Sequence, residues 1–464
     1  MDNIVGIILA ATVLALTVLV CRLSRSDKNG GAPVNWPVLG MLPSLLWNLC
    51  NFYEWVTPIV NRNGGTIKFS SGFCPTSTQI ITSNPLNLEY ILVKSQSLPC
   101  FVKDEASLEH QKQAIASTSS RSRFDINLMQ KLAEQKVISA LDEACKRDTA
   151  LDLQDLLLRF GVDYACLVVL GNEKLGSLVS EFSKAYEEAM ETWAYSFMIS
   201  TKYYSQKYMT ALKLSQQSAS KIMVECREIQ DMGIKDQRQG FIFPGFTGSL
   251  QDLLISTVVG CRVICASAMC WFFWLVSKHP EVEDEIMLEL SELLQNDNGD
   301  DTSDKADFFP VDKLNGMQYL EAALCETLRL YPPFPLGHMR AMEDMVLPDG
   351  TSVQKGCGIL YLIYGANRME NVWGKDASEF KPERWIQDGI CVKELDFCKY
   401  PVFGAGPLGA CLDMAKCLAA NILVRYHVTV EEEFPVEAKL GMSLTMKYRL
   451  EVSLNSREDE LQYA

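Results

Sequence analysis

The stretch that decides the fold is Glu326-Thr327-Leu328-Arg329, read with Pro382-Glu383-Arg384-Trp385 further along the chain. Glu326 and Arg329 stand three apart near the end of a predicted helix, 311–330, which stops at Tyr331-Pro332-Pro333. Positions i and i+3 share a helix face, so the carboxylate and the guanidinium can pair inside a fold. Beyond both motifs lies Phe403-Gly404-Ala405-Gly406-Pro407, with Cys411 just after it.

Working outward, apolar spacing of three and four predicts helix over most of 125–230, with Asp152 as a cap for 152–160. One long helix is expected over 253–278, ending before His279-Pro280, and an amphipathic helix over 281–296. Helix is also expected over 415–427. Alternation predicts strands at 66–69, 78–83, 346–363 and 442–453. Gly/Pro-interrupted 233–248 and acidic 297–307 read as loops. The fold class is therefore mainly α with a minor β-sheet, without internal repeats.

Of the 464 residues, 48% are hydrophobic and 22% charged, enough to bury a core. The net charge is −15, and a nucleic-acid binder would need a basic face instead. Sixteen cysteines with no paired CxxC spacing read as thiols in a reducing compartment. Residues 4–21 carry no charge and, at 1.5 Å per residue, span about 27 Å, close to an endoplasmic reticulum bilayer. Arg22, Arg25 and Lys28 follow them, which puts the N-terminus in the lumen and the rest in the cytosol. The expected organisation is a membrane anchor over 1–21, a basic linker and proline hinge over 22–37, and a catalytic domain over 38–464.

The order of motifs resembles the cytochrome P-450 family, and the likeness runs over nearly the whole chain after the anchor. The stretches NWPVLGMLP (35–43), WFFWLVSKHPEVE (271–283), YGANRMENVWGKDASEFKPERW (364–385) and FGAGP (403–407) are similar to a plant clan. That clan includes long-chain fatty acid and midchain alkane hydroxylases. The resemblance implies the P-450 fold, a haem, a small-molecule substrate and a reductase partner. It also implies that Glu326, Arg329 and Arg384 form a buried architectural charge cluster. One carboxylate shared by two guanidiniums leaves no charge alone, as burial demands.

The positions that carry chemistry depart from the family pattern. Oxygen is activated in that family on an Ala/Gly-Gly-x-Asp/Glu-Thr-Thr stretch. Counting back from Trp271 gives Gly260-Cys261-Arg262-Val263-Ile264-Cys265, with Val263 at the acid and Ile264 at the threonine. Neither can pass a proton, which is general-acid work. The haem loop pattern is Phe-x-x-Gly-x-Arg-x-Cys-x-Gly. Here Cys411 falls one residue later, Leu408 replaces the arginine and Asp413 replaces the glycine. The haem iron's axial ligand would be Cys411. Lys112 stands where the family has a propionate-binding arginine, and Leu108 where it has a tryptophan. His338 and Arg340 are further candidates for propionate contacts. The stretch 95–108 is shorter than its counterpart.

The scaffold motifs persist while the haem and oxygen motifs change. The first expectation is therefore an atypical, endoplasmic reticulum-anchored family member with impaired or lost haem chemistry. It would catalyse a redox-neutral isomerisation, cyclisation or elimination, with Lys112, Arg262, Cys261 and Cys265 as candidate catalytic groups. The alternative is a haem-thiolate monooxygenase hydroxylating a long-chain aliphatic or alkaloid-like substrate with NADPH, oxygen and P-450 reductase. A third reading is a non-catalytic binding or scaffold protein.

Overall fold

The computed structural model describes residues 41–70, 78–94, 126–170, 176–198, 202–231, 261, 263–295, 309, 311–341, 343–392, 399–402, 409–431, 433–441 and 443–457. The anchor, 1–21, and the linker, 22–37, lie outside the described residues. Among those described, no helix is long and apolar enough to cross a membrane.

Helices dominate: α1 (Phe52–Arg62), α2 (Leu153–Leu170), α3 (Gly176–Met198), α4 (Lys202–Asp231), α5 (Met269–Lys278), α6 (Pro280–Gln295), α7 (Gln318–Leu330) and α8 (Gly409–Leu423). Asp152 caps α2 as its sequence suggests, its carboxylate accepting the Asp155 N–H at 3.2 Å. A four-stranded sheet has the order β1 (Thr66–Ser70), β2 (Thr78–Thr82), β4 (Gly358–Leu362), β3 (Leu336–Arg340). The β2–β4 pair is parallel and the other two are antiparallel. In a second sheet, β6 (Glu451–Ser456) pairs with β5 (Tyr426–Val430) and with Leu151–Asp152.

Several elements differ from the sequence reading. The 311–330 segment is a 3₁₀ turn, Val311–Gly316, followed by α7, with Met317 between them. Glu289 of α6 supplies the break, its carboxylate accepting the N–H groups of Gln318, Tyr319 and Leu320 at 2.7–3.0 Å. These donors have no partner inside a helix, so a carboxylate from another element lets α7 start afresh. Helix α8 begins six residues before the expected Ala415 and ends at Leu423, so His427 lies in β5 rather than in the helix. Residues 346–363 hold three short strand pieces separated by turns, because Gly350 and Gly356 take positive φ. Regular strand at the C-terminus starts only at Glu451.

One large core joins α1, α2, α5, α7, α8 and one face of the first sheet. The opposite face carries a smaller cluster of Ile80, Met339 and Ile359 over Ile91 and Leu347. Alternation along β3 therefore turns Leu336, His338 and Arg340 toward the main-core side. Gly337 lies on the other side, where the Tyr361 ring would stand 2.1 Å from any Cβ, so only glycine fits. Trp271 of α5 stacks on Tyr331 at the end of α7, with ring centroids 4.0 Å apart.

Candidate functional site

Glu326 is fully buried on α7, and five donors converge on its two oxygens. Arg329 grips it bidentately at 2.7 and 2.8 Å. Arg384 Nε donates at 3.3 Å, the Trp385 indole at 2.8 Å and the Lys381 backbone N–H at 3.1 Å. Arg329 spends its remaining donors on the carbonyls of Asn367, Ala377 and Glu379. Arg384 also reaches Asp376 and the Trp373 carbonyl. Buried charge is stable only when each proton and lone pair is matched, and this set approaches that condition. Trp385 and Asp376 were absent from the sequence reading, although the Pro-Glu-Arg-Trp motif contained the first of them.

At the end of the first sheet, His338 is buried and Arg340 exposed on one face of β3. Burial, helped by the neighbouring Arg340 charge, lowers the His338 pKa to about 4. Its imidazole is thus neutral at pH 7, and Arg340 carries the positive charge of the pair. Opposite them, Gly358 leaves room for the imidazole, with His338 Nε2 only 2.7 Å from where a Cβ would be.

The oxygen-activation positions fall on a π-helical stretch, Val263–Ala268, that leads into α5. Cys261 is buried, and Cys265 lies in the widened turn. Arg262 and Lys112 lie outside the described residues. Ser267 is buried and already engaged, its hydroxyl donating to the Leu444 carbonyl at 2.7 Å. The Trp271 indole donates to the same carbonyl.

Cys411 is the third residue of α8. The first turn of a helix presents unpaired N–H groups and positive dipole, which stabilises a thiolate. A thiol at a helix start, with an exposed guanidinium and a neutral imidazole at a sheet end, suits a metal-centred group with carboxylate arms. These residue types are ones that fit a haem. A feature the sequence reading passed over lies one and a half turns further along α8. Lys416 is completely buried there, against Glu321 at 2.8 Å and Asp413 at 3.4 Å. Its signal was a lone lysine within Met414–Ala420, an otherwise apolar run.

The family model described as Cytochrome P450 matches residues 260–441. Cytochrome P450 86B1 of Arabidopsis thaliana is 32% identical over 93% of this chain and 87% of its own length. The chain belongs to the cytochrome P450 family. Alkane hydroxylase MAH1 of Arabidopsis thaliana is 27% identical over 95% of this chain and 97% of its own length. Noroxomaritidine synthase 1 of Narcissus pseudonarcissus is 27% identical over 97% and 96%. The P450 relatives thus match nearly end to end. The first of these alignments runs to 497 positions, more than this chain contains, so tens of positions in the relative have no counterpart here.

Proposed function

We propose that this P450 is a haem-thiolate monooxygenase that hydroxylates a long aliphatic substrate. It would use electrons from NADPH delivered by a reductase at the endoplasmic reticulum membrane, where residues 4–21 would anchor it. The observation that carries the reading is the retention of a cysteine in the first turn of α8 together with a cation at the end of the first sheet. The relative named as an alkane hydroxylase supports it over the redox-neutral expectation.

Cys411 would hold the iron, and Arg340, His338 and Lys112 would meet the propionates. Bound there, the haem supplies activation of dioxygen for insertion into a C–H bond. Arg340 neutralises a carboxylate directly, whereas the neutral imidazole of His338 contributes a hydrogen bond rather than a charge. Val263 and Ile264 have no side-chain atom that holds a proton, and Ser267 Oγ is committed to Leu444. Protons would therefore come from water entering beside the π-helical stretch, at a cost in rate of about 10²–10⁴ relative to a positioned donor.

That apolar pair is also the observation favouring a second reading, a redox-neutral isomerisation, cyclisation or elimination in the same pocket. The deciding experiment takes purified full-length protein, its reductase and a panel of fatty acids and alkanes. Hydroxylated product that requires NADPH and oxygen, with a thiolate-type reduced-carbon monoxide spectrum lost in Cys411→Ser, is the expected result. Product formed anaerobically without reductant overturns it in favour of the second reading.

A further inference from the structure

Lys416 has no exposed surface. Its ammonium has three protons, and three oxygens surround it. Glu321 Oε2 of α7 lies at 2.8 Å, the Leu314 carbonyl of the 3₁₀ turn at 3.0 Å and Asp413 Oδ1 of α8 itself at 3.4 Å. Burial raises the pKa of Glu289, the α6 carboxylate that starts α7, and the Lys416 charge opposes that shift. One side chain thereby ties the first turns of α8 to α7 and to the 3₁₀ turn before it.

The tie lands where the chain departs from its family. Asp413 occupies the position of the pattern's glycine, two residues after Cys411, and the loop before Cys411 is one residue longer. A buried ion set that begins two residues after Cys411 holds the helix turn on which the cysteine stands. Ion sets of this kind act mainly by fixing one arrangement among several. We propose that Lys416, through Asp413 and Glu321, is the positioning residue that fixes the first turn of α8 and with it Cys411. The proposal rests on the reading of Cys411 as the haem ligand.

The test compares full-length wild type with Lys416→Met, Lys416→Arg and Asp413→Asn, by amide hydrogen exchange and by the reduced-carbon monoxide spectrum. Amides 413–416 bond to the carbonyls of 409–412 and report the first turn. In Lys416→Met they should exchange at least about tenfold faster while amides 272–275 of α5 keep their protection. Its spectrum should move from the thiolate-ligated form to one without thiolate. Lys416→Arg should restore both readouts, and Asp413→Asn should shift both in the same direction by less. If Lys416→Met fails to fold, the other two variants decide the matter by the same criteria. Equal acceleration in α5 and α8 with an unchanged spectrum would mean a merely structural role and overturn the proposal. Should wild type take up no haem, the haem reading falls separately, and local exchange at 413–416 still decides whether Lys416 holds the turn.

Discussion

Helix α7 carries two buried carboxylates, Glu321 and Glu326, and each anchors a separate ion set on a different side of the helix. Glu326 is closed by five donors drawn from its own helix and from 381–385. Glu321 meets the Lys416 ammonium, which also reaches Asp413 and a backbone carbonyl. The first set is redundant in donors and locks the scaffold. The second is centred on one ammonium and sits beside the candidate ligand. Burial therefore says little about what an ion set is for; the element its partners hold says more.

Breaking the first set should have the largest effect. Glu326→Ala leaves Arg329 without a carboxylate in the core and takes from Arg384 one of its two, a loss at the upper end of about 3–5 kcal/mol. The expected outcome is insoluble protein whether or not haem is bound, checked by solubility and circular dichroism. A soluble, folded Glu326→Ala would erase the contrast between the sets.

Breaking the second set should cost about 3 kcal/mol in Lys416→Met, because two carboxylates lose their cation. Replacing Glu321 by Gln in that background removes one stranded charge and should return about 1 kcal/mol or more. Denaturant unfolding of the singles and the double measures this coupling. Additive losses would show that Lys416 and Glu321 do not act as a unit.

His338 sharpens the contrast, being buried and titratable yet held neutral. Its folded pKa is depressed from 6.5 to about 4, so below pH 6.5 the unfolded chain takes up a proton that the folded chain refuses. The resulting stability is complete above about pH 6.5 and is lost as pH falls toward 4. At pH 5 wild type should have lost about 2 kcal/mol from this source, and His338→Gln should lack that loss. Unfolding at pH 7.5 and pH 5 gives the comparison. Smallest of all is the exposed pair Arg147–Glu143, 2.6 Å apart on one helix. Arg147→Ala should change stability by only about 0.3–0.5 kcal/mol, because water and salt screen an exposed pair.

What was legible in the sequence follows the range of the interaction. Glu326 and Arg329 are three residues apart, so helix geometry alone brings them onto one face, and the Pro-Glu-Arg-Trp motif named the distant partner. The strands β1 and β2 and the Asp152 cap were legible because alternation and capping act within a few residues. The start of α8 was missed because Gly409 and Ala410 carry no periodic signal, and the length of the 311–330 helix was misread because its break is made by Glu289 from another element. Lys416 was passed over because Glu321 and Leu314, which help to bury it, stand about 100 residues away in sequence.

The sequence by itself determined the family and the mainly helical class, since these reside in local order and spacing. Only the tertiary structure decided that His338 is neutral while Arg340 carries the charge, that five donors close on Glu326, and that Lys416 is buried between α7 and α8. Desolvation and long-range pairing depend on which surfaces the fold brings together, and neither is a property of any short stretch of chain.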